Sequence, residues 1–242
     1  MCRELFMGYL EYLLWGYFIG YPIYIYVTHE KEKQMVLAEP SSLIQVYRLT
    51  MLYLWLPLAL LFGLIVNQEI GLKEFTFQWH WTVVQQLALG FLLLLIVFAI
   101  RHIIQLKRSE IKQQAFIEQV EHSRWFMPKN RREMVYFVFG VSVTAGICEE
   151  LLYRFYLLDL FSQNFPIYLA VLFSSLAFGA GHIYQGWLHV IRTAIMGAIL
   201  ATIYLYTESI VIVICLHIIA DMYGGLCAYF SFSSEHIQKP IS

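Results

Sequence analysis

Six side chains with acid–base chemistry sit where water should be scarce. Glu149, Glu150 and Arg154 fall within about two helical turns of the apolar stretch "TAGICEELLYRFYLLDLF". His182 closes "FSSLAFGAGH", and His217 and Asp221 share "CLHIIADMYGG". Inserting three charges at a helix centre costs about 8–10 kcal/mol, which the apolar residues of one span roughly cancel. Such a helix needs neighbours that take up its polar groups. Glu150 and Arg154 are spaced i, i+4 and can pair on one face. Glu149, rotated about 100° from Glu150, has no local partner. A lone carboxylate in a poorly solvated pocket suits a general base or acid, although a purely structural charge network would use the same residues.

Each histidine alone is weak evidence, because a histidine in a buried helix is usually a satisfied core residue. Phe178 and His182 stand at i, i+4, with Gly179, Ala180 and Gly181 leaving room beside the imidazole. His217 and Asp221 have the same spacing, so Asp221 can accept a hydrogen bond that fixes the ring. Together, ionisable groups on several membrane segments read as functional. No H-E-x-x-H, G-x-S-G or G-x-G-D stretch is present, which leaves out the zincin, serine and paired-aspartate types. A zinc site built from Glu149, His182 and His217 remains conceivable, since two histidines and a carboxylate can bind zinc.

The elements that must position these groups are membrane helices. The chain is 60% hydrophobic and 14% charged, against about 45–50% and about 25% in soluble domains. About seven stretches meet the length of about 20 apolar residues that a span requires. They run roughly over 5–27, 43–66, 83–104, 134–160, 167–184, 187–206 and 210–230, an all-α polytopic bundle. The first lacks an A-x-A cleavage site and reads as a retained span. The basic residues of 101–132, with Lys31 and Lys33, outweigh Arg3 and Lys73 on the other side. That places the N-terminus outside and the C-terminus in the cytoplasm. The aromatic run Lys73–Trp81 reads as an outer interfacial belt. In the linker of about 105–133, Ile111, Phe116, Ile117 and Val120 share one side, which fits a surface-lying helix or a solvated connector. Residues 1–133 thus form N-terminal spans plus linker, and 134–242 the core that carries the chemistry. Cys2, Cys148, Cys215 and Cys227 show no paired spacing and read as packing residues.

In order along the C-terminal half, "EELLYR" is E-E-x-x-x-R, "FGAGH" is F-x-x-x-H and "HIIAD" is H-x-x-x-N/D. This resembles the CPBP family, the CAAX proteases and bacteriocin-processing enzymes also called the Abi family, over about Met134 to Phe230. The resemblance implies an intramembrane endopeptidase. Glu149 would activate a water for attack on a peptide carbonyl, with His182 assisting. Glu150 and Arg154 would be the supporting pair, and His217 with residue 221 would stabilise the oxyanion. The chain departs from the commoner Asn at 221: Asp221 donates nothing unless protonated, which favours a role in orienting His217. Members of the family are described both as glutamate-dependent and as metalloproteases; metal-free chemistry without a cofactor is the expectation, zinc being the alternative. Expected partners are a membrane-associated leader, signalling, bacteriocin-type or CAAX-type peptide and the lipid bilayer, with no nucleic acid. The expected location is a bacterial plasma membrane. A non-catalytic immunity or scaffold protein of the same fold, and a proton-coupled carrier, are the rival readings.

One conflict stands. With these boundaries Glu149 lies roughly 22 Å from the cytoplasmic start of its span, and His182 only about 4 Å from the end of its own. For the two to meet, the fourth helix must begin well out in the cytoplasm, or the fifth must pass Gln185 and dip deeper.

Overall fold

The computed structural model describes residues 2–66 and 81–238. These residues form helices, 3-10 turns and no strand. We number eight helices: α1 (Cys2–Ala38), α2 (Leu43–Val66), α3 (Val83–Lys107), α4 (Glu110–Gln119), α5 (Arg131–Asn164), α6 (Ile167–Ala180), α7 (Trp187–Thr207) and α8 (Ile210–Gln238). Five are long and apolar enough to cross a bilayer: Pro40–Val66, Val83–Lys107, Arg131–Asn164, Trp187–Thr207 and Ile210–Ser233. The chain is an integral membrane protein with an all-α polytopic bundle. The expected first span runs inside α1, which exposes Tyr12, Leu13, Ile19, Ile23 and Val27 but is not among those five. The expected aromatic belt lies, apart from Trp81, outside the described residues.

α5 is the centre of the bundle. Within its most apolar stretch 67% is buried, against 6% for α3 at the periphery. Its start is set by Asn130, whose side chain accepts from the Glu133 amide, the capping arrangement that satisfies a free N–H of the first turn. α5 is not a uniform α-helix. Two π-helical stretches, Phe137–Val141 and Leu151–Leu157, flank the α-helical turns Ser142–Glu150 that carry both glutamates. Such wide turns are rare and gather at functional sites. Gly146 lets α5 touch α8, since a Cβ there would collide with the Ile218 side chain and lie 3.1 Å from its amide nitrogen.

α6 corrects the expected fifth span. It holds 14 residues, about 21 Å, too short for a hydrocarbon core of about 30 Å. It ends at Ala180, and the chain turns through a 3-10 turn over Ile183–Gln185 to Gly186, whose φ of +94° suits a residue without a Cβ. α7 then packs back along α6. At Gly179 a Cβ would lie 2.6 Å from the Val190 carbonyl oxygen and 2.9 Å from the Ala194 Cβ, so the helices meet backbone to backbone.

The linker folds onto the protein. Ser109 caps α4, and Ile117 packs with Ala228 and Phe232 of α8, with Phe116 and Val120 beside them. Ile111, expected on the same stripe, is 84% exposed. Trp125 and Phe126 join Tyr47 of α2 and Phe137 of α5 in a second apolar cluster, and the Tyr47 hydroxyl donates to the Phe126 carbonyl at 2.7 Å. Cys148 and Cys227 are fully buried free thiols, and Cys215 is a half-buried one.

Candidate functional site

The local pairing expected on α5 is present. Arg154 Nη1 donates to Glu150 Oε1 at 2.9 Å, with side chains 1% and 0% exposed. Both charges are sealed, which is tolerable only when they are paired and further hydrogen-bonded. Arg154 also donates through Nη2 to the Gly197 carbonyl of α7 at 3.3 Å, and its guanidinium lies 4.1 Å from the Phe178 ring centroid. One cation thus ties α5 to α6 and α7.

Glu150 has a second partner that local spacing did not show. His217 Nδ1 stands 2.7 Å from the same Oε1. Because that oxygen already accepts from Arg154, Nδ1 is the donor, and the ring's orientation is fixed. Its Nε2 then faces Glu149 Oε2 and Asp221 Oδ2, each at 3.7 Å. Asp221, expected to orient His217, stands opposite the far nitrogen, and Glu150 reaches Nδ1 from another helix. Exposure rises across the ring, from 0% at Glu150 through 9% at His217 and 12% at Glu149 to 36% at Asp221. Glu149 Oε2 is buried and makes no hydrogen bond among the described residues.

His182 reaches the same level by symmetry about a turn. α5 and α6 are joined at Phe165–Pro166; Glu149 precedes Phe165 by 16 residues and His182 follows Pro166 by 16. In an antiparallel pair of helices with so short a turn, equal counts from the turn give similar depths, to within the shorter rise of the π-helical stretch Leu151–Leu157, and both residues line one cavity. Side-chain contacts confirm the register one turn closer to it: the rings of Tyr153 and Phe178 stack edge-on at 5.3 Å, and Ser174 Oγ donates to the Tyr153 carbonyl at 2.7 Å. The conflict over depth came from measuring each helix from its cytoplasmic end, and α6 lacks the length assumed there. His182 Nδ1 donates to the Phe178 carbonyl at 3.0 Å, which leaves Nε2 as the acceptor nitrogen of the neutral ring. Phe178 sits between the imidazoles, its ring centroid 5.1 Å from that of His182 and 6.0 Å from that of His217.

Glu149, His182, His217 and Asp221 line one cavity of about 740 Å³. Its walls also include residues that sequence reasoning missed: Tyr21 and Glu32 of α1, Trp125 and Phe126 of the linker, Tyr184, and Arg192 of α7. Only the linker aromatics carried a local signal, an apolar pair inside a charged segment. Glu32 lies beyond the expected first span, and partial burial pushes its carboxyl above the usual range. Among the described residues no group of three or more His, Cys, Asp or Glu side chains is arranged to hold a metal ion, so the conditional set Glu149, His182 and His217 is not such a group here.

Fold and site define a polytopic helical membrane protein with a buried carboxylate–histidine centre opening on a cavity. Residues 131–223, which contain every residue of that centre, match the family model described as type II CAAX prenyl endopeptidase Rce1-like. The match and the three motifs make this segment, less than half of the chain, similar to the CPBP family and its CAAX-type proteases. No curated protein and no solved structure matches the chain.

Proposed function

We propose that the protein is an intramembrane endopeptidase that hydrolyses a peptide bond of a membrane-associated peptide with a water activated by Glu149 and His182. The observation that carries this reading is the unequal fate of two adjacent carboxylates. Glu150, outside the cavity, accepts from both Arg154 and His217 through Oε1, whereas Glu149, one residue away, lines the cavity and has no ion pair with an arginine or lysine among the described residues; Oε2 of each is buried without a hydrogen-bond partner there. Glu149 takes the proton of a water as that water attacks the carbonyl carbon, and later returns it to the leaving amine. His182, with its proton held on Nδ1, offers Nε2 to the same water. His217, its Nδ1 donating to Glu150, presents Nε2 toward the site, where a proton on that nitrogen would stabilise the oxyanion. Asp221, at 3.7 Å from this nitrogen, balances the charge of the ring as it becomes protonated.

We read glutamate rather than zinc chemistry here, and sensitivity to a chelator separates the two. The apolar lining from α3 and α7 suits a substrate that carries a lipid chain or an apolar leader segment. We place the protein in a bacterial plasma membrane with the cavity opening toward the cytoplasm, as the basic linker beside it supports.

The test is cleavage of a farnesylated CAAX-type peptide and of an unmodified leader-type peptide by the protein in lipid nanodiscs. Wild type should cleave one of them and Glu149→Gln neither. Full cleavage by Glu149→Gln sinks the glutamate mechanism. Protection of cells from a bacteriocin that survives the substitution would instead favour an immunity protein, and loss of proton-linked uptake without any cleavage product a carrier.

A further inference from the structure

The last turns of α1 form part of the cavity wall. Tyr21, Tyr24, His29 and Glu32 line it from that helix, together with Tyr184 and the linker residue Phe126, whose rings lie 6.0 Å apart. α1 packs against the turn Ile183–Gln185, which directly follows His182. Tyr184 lies within electrostatic reach of Glu149, Asp221 and Glu32, so its ring borders both the carboxylate–histidine centre and the end of α1. Glu32 is half-buried and has no lysine or arginine within ion-pair distance among the described residues. Its neighbour Lys33 turns instead to Glu30, at 3.7 Å. His29, one turn before Glu32, donates from Nδ1 to the Tyr26 carbonyl at 2.8 Å, which leaves Nε2 as the acceptor nitrogen of the neutral ring. The pair thus presents hydrogen-bond acceptors and no donor.

A carboxylate set among aromatic faces is suited to a cation, which gains a charge-assisted hydrogen bond and cation–π attraction together. The wall as a whole has the same sign: among the described residues its charged side chains are Glu32, Glu149, Asp221 and Arg192, an acidic set that draws cations while the histidines are neutral. Glu32 follows Tyr21 by 11 residues, about 16 Å along the helix, and Tyr21 is within electrostatic reach of Glu149. An extended peptide at about 3.3 Å per residue covers that distance in about five residues. Given the endopeptidase reading, on which this rests, we propose that Glu32 is the subsite for a lysine or arginine side chain of the substrate, about five residues from the scissile bond on the side that leads out to the cytoplasm. Specificity then comes from α1, outside the segment that carries the chemistry. The ammonium group of a phospholipid offers the same cation chemistry, and the test separates the two sources.

The test is a lysine scan. One farnesylated peptide with uncharged side chains, and its versions with a single lysine at each position in turn, are bound to full-length Glu149→Gln protein in an uncharged maltoside detergent. One or two adjacent positions should bind about tenfold more tightly than the uncharged peptide. Adding Glu32→Gln should erase that gain at an unchanged melting temperature. Adding Glu32→Lys should reverse it, so that glutamate at the same position is preferred to lysine. A scan without a gain, an equal gain at every position, or a gain that survives Glu32→Gln overturns the proposal. So does a gain that vanishes when phosphatidylethanolamine is added, which would mean that Glu32 serves lipid ammonium groups. With wild-type protein the cut should fall about five residues from the preferred lysine, and a cut beside it contradicts the assigned distance. Failure of the hydrolytic reading appears separately, as absence of cleavage by the wild-type protein while the position-specific gain and its loss in Glu32→Gln remain.

Discussion

The two sides of the His217 ring are built from similar residues to opposite ends. On the inner side, Glu150, Arg154 and the Gly197 carbonyl form an ion-paired set with side chains at or below 1% exposure, in which Glu150 Oε2 alone lacks a partner among the described residues. On the outer side, Glu149 and Asp221 stand 3.7 Å from Nε2 on the wall of a cavity. Ion-paired groups sealed from solvent hold a structure in place, and carboxylates and imidazoles at a cavity wall are where chemistry is available. On the proposed reading the inner side is a mount and the outer side the working face, although consecutive residues of one helix supply their carboxylates.

Substitutions can break this contrast, and the largest effects should come from the mount. Arg154→Met leaves Glu150 charged and buried, and should cost about 3–5 kcal/mol, read as a lower melting temperature in detergent. Pairing it with Glu150→Gln should recover much of that stability, because no uncompensated charge remains. Cleavage should stay lost, because His217 loses the partner that orients it. On the working face, His182→Gln should lower cleavage by about 10²-fold with little change in melting temperature. A large loss of stability there would assign His182 to the mount instead.

Packing and charge changes should be smaller. Gly146→Ala forces α5 from α8 at Ile218 and should cost about 1–3 kcal/mol, measurable by the same melting assay. Asp221→Asn should change cleavage by less than about tenfold, since Glu150 and not Asp221 holds the ring. A chelator should leave the rate unchanged; inhibition reversed by added zinc would contradict the glutamate mechanism.

The polar residues that line the cavity were mostly legible in the sequence. The i, i+4 spacing of Glu150 and Arg154 fixes a pair on one helix, and the absence of any such spacing for Glu149 marks it as the unpaired residue. The three motifs brought in His182, His217 and Asp221. What local spacing could not show is the hydrogen bond from His217 to Glu150, which joins residues 67 apart and depends on how α8 packs against Gly146. Nor does an apolar run reveal that α6 stops after 14 residues, because the hydropathy of Ile183 and Tyr184 continues past the turn at Gly181. The π-helical turns of α5 and the cavity walls from α1 and the linker are likewise products of tertiary packing, which leaves no period in the sequence.

The central claim is that two neighbouring carboxylates divide mounting from chemistry. It is tested most directly by measuring melting temperature and peptide cleavage on Glu149→Gln and Glu150→Gln side by side in the same nanodiscs. The account predicts that Glu149→Gln melts with the wild type and loses cleavage by at least about 10²-fold, while Glu150→Gln melts clearly lower. Retained cleavage in Glu149→Gln, or equal destabilisation by both substitutions, would contradict it.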